Sequence, residues 1–193
     1  MSNILKKIRN FRREESGTAV IEAIIIFPAL VWVLVAMIVY FDAFRVRSVN
    51  LKAAYTISDM ASRANPVISK SYINGLQKVF NFLAASNHPT WIRVTLIRFD
   101  INDVDDSSDD EHIVKYSWGT NGKSKLTTGD LVAYKSRIPV MANGDTAFIV
   151  ETHTRYVPAF KIGIKASDLN NFIVTRPRFG APCWETCIGS PSS

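Results

Sequence analysis

The first residues that could take part in chemistry are Gly17 and Glu22, at the start of a long apolar run. Glu22 lies just inside this run, in the stretch ESGTAVIEAIIIFPALVWVLVAMIVYF that extends from Glu15 to Phe41. An isolated carboxylate in hydrocarbon is costly, and intramembrane charges are normally tolerated where they are paired. Either this segment does not enter a bilayer, therefore, or Glu22 has a specific use. The plainer alternative is that its side chain snorkels to the interface.

Cys183 and Cys187, in the sequence PCWETC, are the only cysteines of the chain. A structural zinc site needs about four ligands, and no second cysteine pair exists to supply them. If this end of the chain lies in an oxidising compartment, we expect a small disulfide between Cys183 and Cys187. The loop that it closes is short, so its stabilisation should be at the low end of the usual range.

The acidic stretch DINDVDDSSDDEH, residues 100–112, presents side-chain oxygens at alternate positions from Asp103 to Asp109. Such oxygens could bind calcium. An EF-hand loop that begins at Asp103 would need Gly at 108 and Glu at 114, where this chain has Ser108 and Val114. We therefore predict a solvated hairpin loop and no metal site.

The three histidines, His88, His112 and His153, are spread along the chain. No Gly-x-Ser-x-Gly, HExxH or phosphate-binding loop accompanies them. His153, between Thr152 and Thr154, is most simply a strand residue on the solvent face. We predict no catalytic residue and no cofactor, although an active site can assemble from distant positions.

The charge of this 193-residue chain is concentrated at its beginning. Of a net charge of +6, half comes from residues 1–17, where five basic side chains outnumber two acidic ones. Positive charge ahead of an apolar segment holds that end on the cytoplasmic side of a membrane. A nucleic-acid-binding protein would need a basic stripe on its folded part, and the sequence shows none.

Residues 23–41 contain no Asp, Glu, Lys, Arg or His. A helix of these 19 residues is about 28 Å long, close to the ~30 Å thickness of the hydrocarbon core. A buried core helix would be shorter, and a cleaved secretory signal would end in small residues rather than in FDAFR. Pro28 should bend the helix or loosen one backbone hydrogen bond, which membrane spans tolerate.

The helical pattern continues beyond the span. Small and apolar residues recur at three- and four-residue spacing, which predicts an amphipathic stripe on Val46, Val49, Ala53, Ala54, Ile57, Met60 and Ala61. Asn65-Pro66 ends the pattern. The simplest interpretation is one helix over residues 18–64, with its first half in a membrane and its second half packed on a domain.

Residues 12–47 resemble the N-terminus of a type IV prepilin. Such proteins have a short basic leader, a Gly before the cleavage site, a Glu five positions after it, and then an apolar helix. Here these are Gly17, Thr18 as the new first residue, and Glu22. The stretch GTAVIEAIIIFPALVWVLVAMIVYFDAFR is most similar to the TadE-like pseudopilins of tight-adherence (Flp) pili, and FIVETHTRYVPAF, residues 148–160, loosely resembles their late strand.

The resemblance implies that a membrane prepilin peptidase cuts between Gly17 and Thr18 on the cytoplasmic side. A Gly at position 17 lets an extended backbone fit the protease cleft closely, because it has no side chain. Glu22 would then pair with the new amine of Thr18, in the same chain or in a neighbouring subunit. The further partners implied are other pilins and pseudopilins, through the apolar helix, and the inner-membrane pilus assembly machinery.

The implied location is the bacterial inner membrane, crossed once, with the N-terminus in the cytoplasm and the C-terminal domain in the periplasm. The resemblance leaves open whether the protein enters the extracellular pilus or only assists its assembly. It implies no reaction of the protein's own. The alternative is a membrane-anchored periplasmic enzyme or ligand-binding protein that is unrelated to pili.

The rest of the chain has mixed periodicity. Residues 71–85 predict a helix, and strands are predicted over 91–100, 112–118, 146–157 and 172–175, while residues 126–135 fit either state. We expect an α+β fold in which a long membrane-spanning helix continues into a pilin-like domain with an antiparallel sheet. The predicted organisation is a leader (1–17), the long helix (18–64, transmembrane over 23–41) and the periplasmic domain (65–193).

Overall fold

The computed structural model describes residues 16–65, 67–101, 111–160 and 162–185, and for residues 16–19 it describes the backbone alone. Two α-helices, one 3-10 helix and six strands follow one another in these residues. In chain order they are α1 (Ser16–Ser62), β1 (Val67–Ile68), α2 (Lys70–Ala84), β2 (Trp91–Asp100), β3 (Glu111–Gly119), the 3-10 helix Gly129–Arg137, β4 (Thr146–Tyr156), β5 (Ser167–Thr175) and β6 (Cys183–Trp184).

The predicted α+β class, with a long N-terminal helix followed by an antiparallel sheet, is confirmed. Four strands form the sheet in the order β3-β2-β4-β5, and every neighbouring pair is antiparallel. The predicted strands over 91–100, 112–118 and 146–157 agree with β2, β3 and β4 within one residue at each end. The fourth strand, β5, begins at Ser167, five residues earlier than its apolar pattern indicates.

The described chain divides into two units, and the boundary lies inside α1. The first unit contains α1 up to Ala43 together with Pro158–Lys165. The second unit contains Phe44–Val157 and the residues from Ala166 onward, and so includes the second half of α1 and the whole sheet. One helix therefore belongs to two differently packed parts of the molecule.

One face of the sheet packs on the second half of α1 and on α2. The sheet contributes Ile92, Val94 and Leu96 from β2, and Phe148 and Val150 from β4. The helices contribute residues at three- and four-residue spacing, namely Ala53, Ala54, Ile57 and Ala61 of α1 and Ile73, Leu76 and Phe80 of α2. The predicted amphipathic stripe is thereby confirmed from Ala53 to Ala61, whereas Val46 and Val49 are only half-buried and lie outside this core.

Residues 126–141 cover the other face of the sheet. In this second core, Leu126, Leu131, Ile138 and Met141 pack against Ile97, Ala147 and Ile149. Because both faces of the sheet are covered, β4 has an unbroken buried run, Ala147–Thr152, in place of strict alternation. The segment for which the sequence allowed either state forms a 3-10 helix, Gly129–Arg137.

The C-terminal part of the second unit returns to the end of α1. The amide of Arg178 donates to the carbonyl oxygen of Ser62 at 2.8 Å, and its Nη2 donates to Oδ1 of Asp59 at 2.8 Å. The first bond satisfies a carbonyl that has no partner within the helix. Farther on, β6 pairs with β1 in parallel, and these two-residue strands are too short to produce a detectable periodicity.

Phe80 and Phe82 on α2 form a matched pair for testing this packing. Phe80 is fully buried in the first core, whereas Phe82 is 84% exposed on the same helix. Phe80→Ala should lower the free energy of unfolding by about 3–5 kcal/mol, because it removes apolar contacts and leaves a cavity. Phe82→Ala should change it by less than about 0.5 kcal/mol. Urea unfolding of the detergent-solubilised protein measures both, and equal effects would contradict the described core.

Candidate functional site

The first half of α1 presents apolar side chains that no other part of the described chain covers. Sixteen large apolar side chains between Val20 and Phe44 are exposed, with exposed fractions from 41% at Val31 to 68% at Phe41. They point in every direction around the helix, since the four consecutive residues from Ile24 to Phe27 are all exposed. The side chains of a helix that is apolar all round belong in a large core or in a membrane.

The helix satisfies the composition and length of a membrane span. Its most apolar 18-residue window has a mean hydropathy of 2.8, and only 6% of that window is buried. The core helix of a soluble protein would be mostly buried within its own fold. The surface therefore needs an apolar environment that the described chain does not provide.

Pro28 interrupts this surface within the helix. It has no N–H to donate to the carbonyl oxygen of Ile24, so one backbone bond of the helix is missing. A shallow apolar concavity of about 620 Å³ lies beside it, lined by Val20, Ala23, Ile24, Phe27 and Pro28. A concavity of this kind can accept an apolar side chain from a neighbouring helix.

Gly17 and Thr18, the residues of the predicted cleavage site, lie in the first turn of α1. Their backbone is helical, and residues 1–15 of the predicted leader lie outside the described residues. The first backbone N–H groups of a helix have no partner within it, so its first turn unwinds at lower cost than an interior turn. A protease that takes an extended chain would have to unwind this turn before cutting.

Glu22 is exposed on the helix, one turn after Thr18. Within the described part of the chain, none of the ion pairs involves Glu22. The partner that the sequence predicts for it is an amine created by cleavage, and the uncut chain has an amide at that position. The pairing of Glu22 therefore stays a prediction.

Cys183 is bonded in a disulfide. Cys187 lies outside the described residues, so the pairing of Cys183 with Cys187 stays a prediction. The bonded cysteine belongs to β6, whose Trp184 stacks on Tyr116 with 4.8 Å between ring centroids. Lys70 and Glu185 form an ion pair at 3.2 Å beside it. Cys183 thus lies next to the position where Trp184 packs on the first core.

Arg93 and Glu151 form a buried ion pair that sequence reasoning missed. They are direct cross-strand partners on β2 and β4, with Nε of Arg93 2.5 Å from Oε2 of Glu151. Arg93 also donates to the carbonyl oxygen of Ser124 at 3.2 Å and to the hydroxyl of Tyr134 at 3.3 Å. In the sequence, the only indication of this pair is that Arg93 and Glu151 each alternate with apolar residues in a predicted strand.

Burial by itself would lower the pKa of Arg93. The hydrogen bond and the negative charge of Glu151 outweigh burial and raise the pKa, so the guanidinium stays charged. The pair can hold β2, β4 and the 3-10 helix together.

The three histidines lie on different elements. His88 is in the loop between α2 and β2, and His112 is on β3, where burial and then the charge of Lys135 lower its pKa. His153 on β4 stacks on Trp91 with 5.3 Å between ring centroids, and its Nδ1 lies 2.8 Å from Oδ1 of Asn170. The described residues contain no group of three or more metal-ligating side chains. Residues 102–110 of the acidic stretch lie outside them, so the absence of a calcium site stays a prediction.

The chain matches no protein-family model, no curated protein and no solved structure. The inference of function therefore depends on the uncovered apolar half of α1 and on the residues around Gly17 and Glu22.

The buried pair can be measured in a double-mutant cycle. Arg93→Ala and Glu151→Ala should each lower the free energy of unfolding by about 3–5 kcal/mol, because each leaves an uncompensated buried charge. The double substitution should cost clearly less than the sum of the two. Urea unfolding of the four proteins gives the coupling.

The control for this cycle is Arg176→Ala, which breaks the exposed pair with Asp145. It should cost no more than about 1 kcal/mol. Additive effects of the Arg93 and Glu151 substitutions would show that the two side chains do not interact.

Proposed function

We propose that this protein is a minor pseudopilin, similar to the TadE-like proteins, that takes part in the assembly of a tight-adherence pilus. The observation that carries the proposal is the uncovered apolar half of α1, preceded by a basic leader and Gly17 and containing Glu22 close to its start. The protein acts by packing its helix against other helices. It needs no cofactor for this role.

The proposed arrangement places α1 across the bacterial inner membrane. Its run of 19 residues without ionic side chains is long enough to span the hydrocarbon, and the basic leader holds the N-terminus in the cytoplasm. The sheet then lies in the periplasm. The disulfide at Cys183 supports this, since disulfides persist in oxidising compartments such as the periplasm.

Cleavage after Gly17 would make Thr18 the first residue and give it a charged amine. Glu22 lies four residues farther on, which is about one helical turn. In a bundle of such helices, Glu22 can pair with this amine or with that of a neighbouring subunit. The ion pair offsets the cost of a carboxylate in hydrocarbon and fixes how far one helix is shifted along the next.

After cleavage, the remaining apolar surface is available for helix packing. Lipid covers it in the membrane, and the helices of other pilins and pseudopilins cover it during assembly. The concavity beside Pro28 offers one position where a partner side chain can insert.

A membrane-anchored periplasmic ligand-binding protein is the second candidate, and one observation favours it. A groove of about 580 Å³ lies beside the buried ion pair, within the usual size range of ligand sites. Lys123 and Lys125 line it, together with Asp130 and Tyr134. The third cationic side chain that lines the groove, Arg93, is paired with Glu151. A protein of this class would keep its leader, so cleavage distinguishes the two candidates.

Substitutions at Gly17 and Glu22 should affect different steps. Gly17→Val should leave the leader attached, because a branched side chain obstructs the protease cleft. The uncut protein is 17 residues longer than the cut protein, and this difference is visible on a denaturing gel. Glu22→Ala should still be cut at least in part, yet should reach the sheared pilus fraction poorly.

Two conservative variants serve as controls. Gly17→Ala adds a single methyl group and should be cut more slowly than wild type but faster than Gly17→Val. Glu22→Asp keeps the carboxylate and should retain part of the assembly that Glu22→Ala loses. Alanine makes the span more apolar and should improve insertion by up to about 2–3 kcal/mol, so poor assembly cannot come from poor insertion. Normal assembly of Glu22→Ala would contradict the proposed role of this residue.

A further inference from the structure

Among the described residues, the first unit contains one segment besides the helix, and this segment lies beside the end of the apolar run. Pro158–Lys165, here called the juxtamembrane loop, connects β4 to β5 and belongs to the same unit as α1 up to Ala43. Gly163 lies beside the ring of Tyr40, so close that a Cβ at Gly163 would be 3.1 Å from the hydroxyl oxygen. Its φ of +75° also favours glycine.

Between Val20 and Phe44, Val39 is the only buried side chain. Val39 is 3% exposed, although its neighbours Ile38 and Tyr40 are 65% and 46% exposed. Val35 and Ala36, one turn earlier, are half-buried, whereas the described residues before them are exposed. The protected positions thus form a stripe along the last two turns of the apolar run.

The positions of these residues along the helix indicate how close the loop lies to the membrane. Asp42 is the first charged residue after Glu22, and it marks the periplasmic end of the apolar run. At 1.5 Å per residue, Val39 lies about 4–5 Å before Asp42 along the helix axis, and Val35 about 10 Å before it. The juxtamembrane loop lies beside Tyr40, which is about 3 Å before Asp42 along the axis, so the loop reaches the membrane surface once the helix is inserted.

The composition of the loop fits this depth. Phe160 is 58% exposed, Ile162 and Ile164 are half-buried, and the side chain of Lys165 is exposed. An exposed aromatic side chain, with aliphatic side chains and a lysine close by, is typical of segments that lie in the headgroup region of a membrane. The apolar groups enter the boundary of the acyl chains, and the ammonium group faces anionic headgroups.

We propose that the juxtamembrane loop is a second membrane contact, in which Phe160 enters the periplasmic leaflet beside the end of α1. This inference depends on the proposed insertion of α1. The contact fixes how deeply the end of the apolar run lies in the membrane, and it restricts rotation of the helix about its axis. When the subunit leaves the membrane for a fibre, the loop has to exchange lipid for protein contacts.

Depth-dependent fluorescence quenching tests the contact. Phe160→Cys, Phe82→Cys and Phe27→Cys are each labelled with an environment-sensitive nitrobenzoxadiazole probe, and the unsubstituted protein serves as the labelling control. The proteins are reconstituted into vesicles of phosphatidylethanolamine and phosphatidylglycerol, with nitroxide lipids that quench either near the headgroup or near the bilayer centre. Phe82 is the matched control, since it is an exposed phenylalanine on α2 in the second unit.

The probe at Phe160 should lose more than about half of its fluorescence to headgroup-level nitroxide, since interfacial segments lie about 5–10 Å deep. The probe at Phe82 should lose almost none, and the probe at Phe27 should be quenched best from the bilayer centre. If the probe at Phe27 is quenched while the probe at Phe160 behaves like the probe at Phe82, the proposed loop contact is wrong, although α1 does span the membrane. If the probe at Phe27 is not quenched either, the proposed insertion of α1 is wrong, and the proposed loop contact, which depends on it, is also wrong.

Discussion

The first half of α1 has an apolar surface that water would have to cover if nothing else did. Sixteen large side chains between Val20 and Phe44 are about half exposed or more. Full burial of such a side chain contributes about 1.5–3 kcal/mol, so covering the whole surface is worth on the order of 15–25 kcal/mol. The net stability of an ordinary domain is about 5–15 kcal/mol. Some apolar partner therefore has to cover this surface, and we propose that lipid and then neighbouring helices do so.

The second half of α1, in contrast, is covered by other parts of its own chain. Beyond Phe44 the buried positions are mostly small, with Ala53, Ala54 and Ala61 next to the sheet and Ile57 among them. Small side chains let the sheet approach the helix closely. Asn50 is hydrogen-bonded to Asn171 of β5, and the end of the helix is bonded to Arg178. These contacts hold the second half of the helix to the folded unit.

The sequence allowed α1, α2 and the strands β2 to β4 to be predicted, because apolar residues recur there at clear helical or strand spacing. It did not indicate the start of β5, where Asp168, Asn170 and Asn171 are polar residues on an edge strand. The ion pair of Arg93 and Glu151 was missed because its burial depends on residues 126–141, which cover that face of the sheet. The role of Glu22 was predicted from a resemblance, and the structure of an uncut chain does not contain the amine that would pair with it.

The central claim is that the chain is cut after Gly17 and that its apolar helix then acts as a pilin helix. The most direct test is N-terminal sequencing of the protein extracted from membranes of cells that contain a prepilin peptidase, with cells lacking the peptidase as the control. We predict that the sequence begins Thr18-Ala19-Val20 in the first sample and at Met1 or Ser2 in the second. A wild-type protein that begins at Met1 or Ser2 in both samples would contradict the claim and favour a membrane-anchored protein unrelated to pili.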